Sequence, residues 1–188
     1  MSSNDLLYQS LKKFYSRKNQ RNEMLDIIHN NTFLSLRLID WFITNYSKKK
    51  NIEYNIFKDK DNNFTLNEDD LFVKRFNVYH SYKAQLKAYS KKRFDPFCRR
   101  DRIEFKCLDK NGEINSVMTT IGQLNFFKWA INSQILKYIN IYKDLIEEDM
   151  NISLKNNKKD INCKRKELSK SITRGLNKNT QGTTIEFN

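Results

Sequence analysis

Apolar positions recur at three- and four-residue intervals along most of the chain, the period of a helix face. Leu7, Leu11 and Phe14/Tyr15 predict an amphipathic helix over 4–18, and Met24, Leu25, Ile27 and Ile28 a second short apolar piece. Asn30-Asn31 breaks the pattern, and Thr32 is placed to cap the next helix. Phe33–Tyr46 is the most hydrophobic segment, and Leu34, Leu38, Trp41, Phe42 and Tyr46 predict a largely buried helix. Ile52–Phe57 alternates like a strand, with Phe64–Leu66 as a short return. Asn67 followed by Asp70 resembles a helix start that leads into Phe76. Ile103–Leu108 alternates, Asp109–Gly112 is a turn with glycine placed for positive φ, and 113–119 returns. Thr120, three residues before Gln123, has capping-box spacing. A long helix should run on through Leu124, Phe127, Ile131, Ile135, Tyr138, Tyr142 and Leu145, with an interruption near Asn132-Ser133.

The expected fold class is therefore α+β, mainly helical, with a central β-hairpin over 103–119 and one or two further short strands. The hairpin should pack on the helix from 122 and on the helix around 34–46, with Trp41, Phe42, Phe127 and Ile131 mostly buried. Residues 1–150 read as one α+β domain and 151–162 as a polar linker. Residues 163–188 read as a basic helix and terminal strand, packed on the domain through Leu168, Ile172, Leu176 and Thr183–Phe187. The acidic run Glu147–Asp149 would sit badly at a helix C-terminus, so it should meet the basic corner around Arg99 or fray.

Charge sharpens this outline. The 188 residues carry a formal +13, and 13% are aromatic, ample for a core despite a hydrophobic fraction of 38%. Residues 83–106 hold a net +6 and residues 155–178 a net +7, so these two segments account for the whole excess. The first lies in Phe76–Arg102, where Tyr79, Tyr82, Leu86 and Tyr89 share a helix face and Lys83, Lys87 and Lys91 lie opposite. Pro96 should end that helix near Arg93. Lys92, Arg93, Arg99, Arg100 and Arg102 then form a cationic corner, suited to phosphate because guanidinium binds it bidentately. Lys164, Arg165 and Lys166 make the second basic cluster. The bland alternatives are that the lysines are a solvated face and the tyrosines are core rather than base-stacking platforms. On an extended segment Arg100 and Arg102 should share one phosphate-binding face with Lys92 or Arg93, leaving Asp101 opposite, paired with Arg99.

Other chemistry is thinly represented. Four glycines occur, in neither a GxGxxG nor a P-loop arrangement, and there is no HExxH or GxSxG. Cys98, Cys107 and Cys163 give no CxxC and no zinc spacing, and neither His29 nor His80 is placed to activate Cys98. No cofactor, metal or catalytic residue is expected, and no apolar run reaches membrane-spanning length. The absence of a signal peptide and the cysteine usage suggest a reducing compartment.

Four stretches, LRLIDWFITNYSKKKN (36–51), YKAQLKAYSKKRFDPFCRR (82–100), TTIGQLNFFKWAI (119–131) and KELSKSITRGLNK (166–178), together resemble a small basic protein of the nucleocytoplasmic large DNA viruses, the mimivirus-like group and relatives. The resemblance implies a viral product of the host cytoplasm, in the viral factory, or of the virion, and transfers no functional residue. The expected function is non-enzymatic binding of nucleic acid, DNA or RNA, through phosphates with little sequence specificity. The alternatives are a virion structural protein whose basic face meets an acidic protein, or an accessory subunit of a viral transcription or replication assembly.

Overall fold

The computed structural model describes residues 3–29, 32–99, 101–108 and 114–161. Arg100, Lys164, Arg165, Lys166 and the expected tail helix and strand lie outside them. Helix α1 (Ser3–Tyr15) and helix α2 (Lys18–Ile28) bury Leu11, Tyr15, Met24, Leu25 and Ile27. Next come α3 (Leu36–Trp41), one π turn (Phe42–Tyr46) and α4 (Ser47–Lys50). The cap of α3 is Ser35, whose hydroxyl accepts from the Leu38 N–H at 3.1 Å, not the expected Thr32. Phe42 is fully buried as expected. Trp41 is only partly buried, because its indole N–H turns outward to Asp149 Oδ2 at 3.3 Å.

A three-stranded antiparallel sheet comes next, in the order β2 (Phe64–Thr65), β1 (Glu53–Lys58), β3 (Leu71–Asn77). Ile56 and Phe57 are consecutive and both buried, which strict alternation forbids; a β-bulge between them against β3 resolves the conflict. The expected helix start at Asn67–Asp70 is instead a turn into β3. Thr65 Oγ1 donates to Asp70 Oδ2 at 3.0 Å there, and the true helix cap is Asn77, whose side chain accepts from the His80 N–H at 2.9 Å. Strand β3 was hidden because Leu71, Phe72 and Val73 are all exposed, so no two-residue burial pattern marks it.

Helix α5 (Val78–Arg93) is broken at Ser90, which adopts φ 59° and ψ 166°, a region that is ordinarily glycine's. Strands β4 (Arg102–Leu108) and β5 (Ile114–Thr120) form the expected hairpin, in register from Arg102↔Thr120 to Leu108↔Ile114. Its inner face is covered by α1: Tyr8 and Tyr15 meet Phe105 edge-on at 6.4 and 5.9 Å. Tyr15 donates its hydroxyl to the Leu124 carbonyl at 2.7 Å and so ties α1 to the next helix.

That helix, α6 (Ile121–Asn132), is the centre of the core, with Leu124, Phe126, Phe127, Trp129, Ala130 and Ile131 all buried. The expected interruption is present: Ser133 ends α6, and Gln134 takes a left-handed φ of 57° before α7 (Ile135–Ile141). Helix α8 (Lys143–Ile161) runs through 151–161, where the sequence reads as a linker. Chain contacts separate a unit over Met1–Asn151 from Ile152–Asn188. The acidic run lies within α8 rather than at its end. Asp149 pairs with Lys49 of α4, not with the basic corner. The fold is α+β.

Gly122 is needed for close approach. A Cβ there would lie 3.0 Å from the Lys92 carbonyl oxygen and 3.4 Å from the Phe94 nitrogen. Gly122→Ala should therefore lower stability by about 1–3 kcal/mol, since backbone on both sides must part. A urea melt reads this, and an unchanged midpoint would mean that the two segments are not pressed together.

Candidate functional site

The basic corner is built on a buried polar scaffold. Phe94 inserts its ring among Tyr82, Phe126 and Trp129, at 6.0, 5.3 and 5.4 Å between centroids. Asn125 then donates to the Arg93 carbonyl at 3.0 Å, and the Asp95 N–H donates to the Gly122 carbonyl at 3.3 Å. Gln123, only 2% exposed, donates Nε2 to the Pro96 carbonyl at 2.9 Å and accepts from Thr119 Oγ1 at 2.8 Å. Only half of the expected capping box forms: Thr120 Oγ1 accepts from the Gln123 N–H at 3.0 Å, but the amide of Gln123 is spent on the corner. The first turn of α6 thus fixes residues 93–96.

On this scaffold the cations divide into two sets. Arg99 donates from Nε and Nη2 to the two Asp95 carboxylate oxygens, each at 3.0 Å, and lies over the Phe97 ring at 4.7 Å. Lys92 pairs with Asp101 at 3.1 Å. The expected Arg99–Asp101 pair is therefore replaced by Arg99–Asp95 and Lys92–Asp101. The cause is local: Asp101 takes a left-handed φ of 47°, which breaks the alternation assumed for an extended 99–102. Both pairs are exposed and stabilise little, but they neutralise Arg99 and Lys92.

The second set is Lys83, Lys87 and Lys91, all exposed and without an ion-pair partner among the described residues. Lys83 and Lys87 stand one turn apart on the outer face of α5. Lys91 comes directly after the break at Ser90 and lines a pocket of about 310 Å³ with Lys92, Asp95, Phe97, Arg99 and Thr120. Arg102 and Lys106 flank Glu104 on the exposed face of β4. Arg93 is half-buried at the end of α5. Lys48 was missed in sequence, where it looks like a solvated helix end; its Nζ lies 5.7 Å over the Tyr79 ring, beside Lys83 one turn on. The tyrosine face of α5 is core-facing, as the blander alternative has it: Tyr82, Leu86 and Tyr89 pack against the buried cluster.

Behind the corner, burial pushes the Asp40 carboxyl above its ordinary range. Asp95 raises it further, against a smaller downward pull from Arg99. A carboxyl raised in the folded state keeps its proton longer than in the unfolded chain. Its contribution is thus fully present below the unfolded value of about 3.9 and is lost as pH rises through the folded one. Asp40→Asn should remove that loss, so its advantage in Tm over the wild type should grow from pH 3.5 to pH 6. A constant difference across that range would show that Asp40 is not raised.

Cys98 is half-buried, with Sγ 3.9 Å from the Met118 carbonyl. Among the described residues no three His, Cys, Asp or Glu side chains gather as a metal site, and no helix is long and apolar enough to cross a membrane.

Fold and corner together define an α+β domain with a pocket of about 310 Å³ at the basic corner, lined in part by Lys91, Lys92 and Arg99. The chain belongs to a family of unknown function (DUF7197), whose model matches residues 1–186. It is 42% identical over 151 residues to uncharacterized protein L507 of Acanthamoeba polyphaga mimivirus, an alignment covering 79% of this chain and 54% of that relative. The chain thus spans about half the length of the curated relative it matches, and the similarity is to a giant-virus protein, as the four stretches implied. No solved structure matches it.

Proposed function

We propose that this domain binds nucleic acid through the phosphate backbone, with no enzymatic step and little sequence specificity. The observation that carries the reading is the row Lys83, Lys87 and Lys91, exposed and unpaired among the described residues while the neighbouring Arg99 and Lys92 are neutralised. Lys48, over the Tyr79 ring of α5, adds to this cationic surface, and Arg102 and Lys106 add exposed charge on β4. Ammonium groups on flexible stems track a backbone by charge rather than by base identity, which fits non-specific binding. Similarity to a mimivirus protein supports action in the viral factory or the virion.

The test is a titration of the full chain with duplex and single-stranded oligonucleotides over a range of salt. Replacing Lys83, Lys87 and Lys91 together by Gln should weaken binding equally for unrelated sequences and reduce the log–log salt slope by about 2 units. The fold should survive, since all three are exposed. A wild-type chain that binds no nucleic acid at low salt, or a triple variant with an unaltered slope, would overturn the reading. Capture of a protein through a mainly apolar interface, little affected by salt, would instead favour the virion-interaction alternative.

A further inference from the structure

We infer that the Arg99–Phe97 pair is a stacking platform for one unpaired base, so that the preferred ligand is single-stranded. This rests on the phosphate-binding reading above and specifies its substrate. Arg99 is ill suited to grip phosphate. Its Nε and Nη2 donors are taken by Asp95 at 3.0 Å each, and its charge is balanced there. What those bonds do is hold a planar group still. The guanidinium lies over the Phe97 ring at 4.7 Å, and the Phe97 main chain is held by its N–H donating to Asp95 Oδ1 at 3.1 Å. The Asp95 backbone is bonded to Gly122, and the Pro96 carbonyl to Gln123. Yet the Arg99 side chain is 66% exposed, so it remains accessible to a ligand while bonded to Asp95.

An immobilised, neutralised and open guanidinium plane is what a base stacks on, and base stacking on Arg or aromatic planes is available to splayed, single-stranded bases rather than to bases already stacked in a duplex. The surroundings agree. Arg99 and Phe97 both line the 310 Å³ pocket, together with Lys91 and Thr120. Lys91 can take the phosphate next to a base lying on Arg99. Two strained backbone positions bracket this place: Ser90 before Lys91, and Asp101 after the platform, paired with Lys92. Such conformations persist only where surrounding structure holds them, and they cluster at sites that bind. Sequence specificity is not implied, because every base offers a π face.

The experiment compares a thymidine oligomer with an abasic oligomer of the same length and charge, and with a duplex, by anisotropy with the full chain. Stacking one base should make the thymidine oligomer bind roughly tenfold tighter than the abasic one. Duplex affinity, set by phosphate charge and not by stacking, should be unmoved by Arg99→Lys. Arg99→Lys keeps the charge but loses the plane; it should collapse the ratio toward one while leaving abasic affinity and salt slope in place. Phe97→Leu should lower the ratio too. Equal wild-type binding of thymidine and abasic strands would overturn the platform and leave phosphate binding standing. A ratio unmoved by Arg99→Lys would overturn the role of Arg99. Failure to bind any of the three ligands would overturn both.

Discussion

Phe94→Ala should lower stability by about 3–5 kcal/mol, the loss typical of truncating a fully buried phenylalanine. Phe94 comes after α5 in an extended conformation, at φ −151°, and is 2% exposed. Its ring touches three aromatic residues from two helices, Tyr82 of α5 with Phe126 and Trp129 of α6. No side chain is free to fill the space, because Phe126 and Trp129 are also fixed by each other at 5.8 Å. Trp129 donates Nε1 to Ser81 Oγ at 3.0 Å, which further restricts its ring. A chain of this size should lose on the order of 10 °C in Tm. Trp129 fluorescence should change as well, since one of its walls is gone. Phe33, 88% exposed, supplies the comparison: Phe33→Ala should shift stability by less than about 0.5 kcal/mol. If the two variants melt together, the corner is not anchored by Phe94.

The second large effect concerns Gln123. Gln123→Ala should cost about 2–4 kcal/mol, because two buried partners lose their bonds at once. The Pro96 carbonyl would lack its donor, and Thr119 Oγ1, on a side chain with no exposed surface, would lack its acceptor. Gln123→Glu should be worse than Ala. A carboxylate can still accept from Thr119, but it faces the Pro96 carbonyl with no proton to offer and is buried as a charge. Urea melts give the order wild type, Ala, Glu. Amide exchange around Asp95 and Phe97 should quicken in both variants before global unfolding. A Glu variant as stable as the wild type would show that the amide does not bridge the corner to the hairpin.

These two residues also mark where sequence reasoning stops. Thr120 and Gln123 were legible as a helix start, because the cap is a contact between near neighbours. The bond from Gln123 to Pro96 spans 27 residues, and no spacing rule announces it. The hairpin was legible from alternation on both strands and a glycine turn. Strand β3 was not, because Leu71, Phe72 and Val73 face solvent and Asn67 mimics the cap that Asn77 provides. Helix α6 came from a run of apolar periodicity, and its break near Ser133 from the polar pair Asn132-Ser133. Trp41 looked like core by period, but the indole N–H draws it to Asp149 at the margin.

The site was legible as a location more than as a mechanism. Clustering drew the eye to the cations of 83–102, and helical spacing alone set Lys83 and Lys87 on an exposed face of α5, with Lys91 past the break at Ser90. The division of labour was not legible. Asp95 and Arg99 stand four apart, yet Pro96 between them argues against a helix, so nothing in the sequence suggested that they would pair. The left-handed turn at Asp101 then redirected Lys92. Within what looked like one arginine cluster, Arg99 is tied to Asp95, apart from the exposed lysines of α5.

The π turn at Phe42–Tyr46 bears on how relatives of different length should be compared. There the Ser47 N–H reaches back to the Phe42 carbonyl, five residues away rather than four. One residue more than an α-helical turn would hold is thus accommodated inside a helix, with α3 and α4 continuing on either side. A relative one residue shorter between Trp41 and Ser47 need not have lost a loop or shifted Lys48 relative to Tyr79. It can have closed the wide turn into an ordinary one. Alignments that charge such a gap as a break in the helix would misplace everything from Lys48 onward.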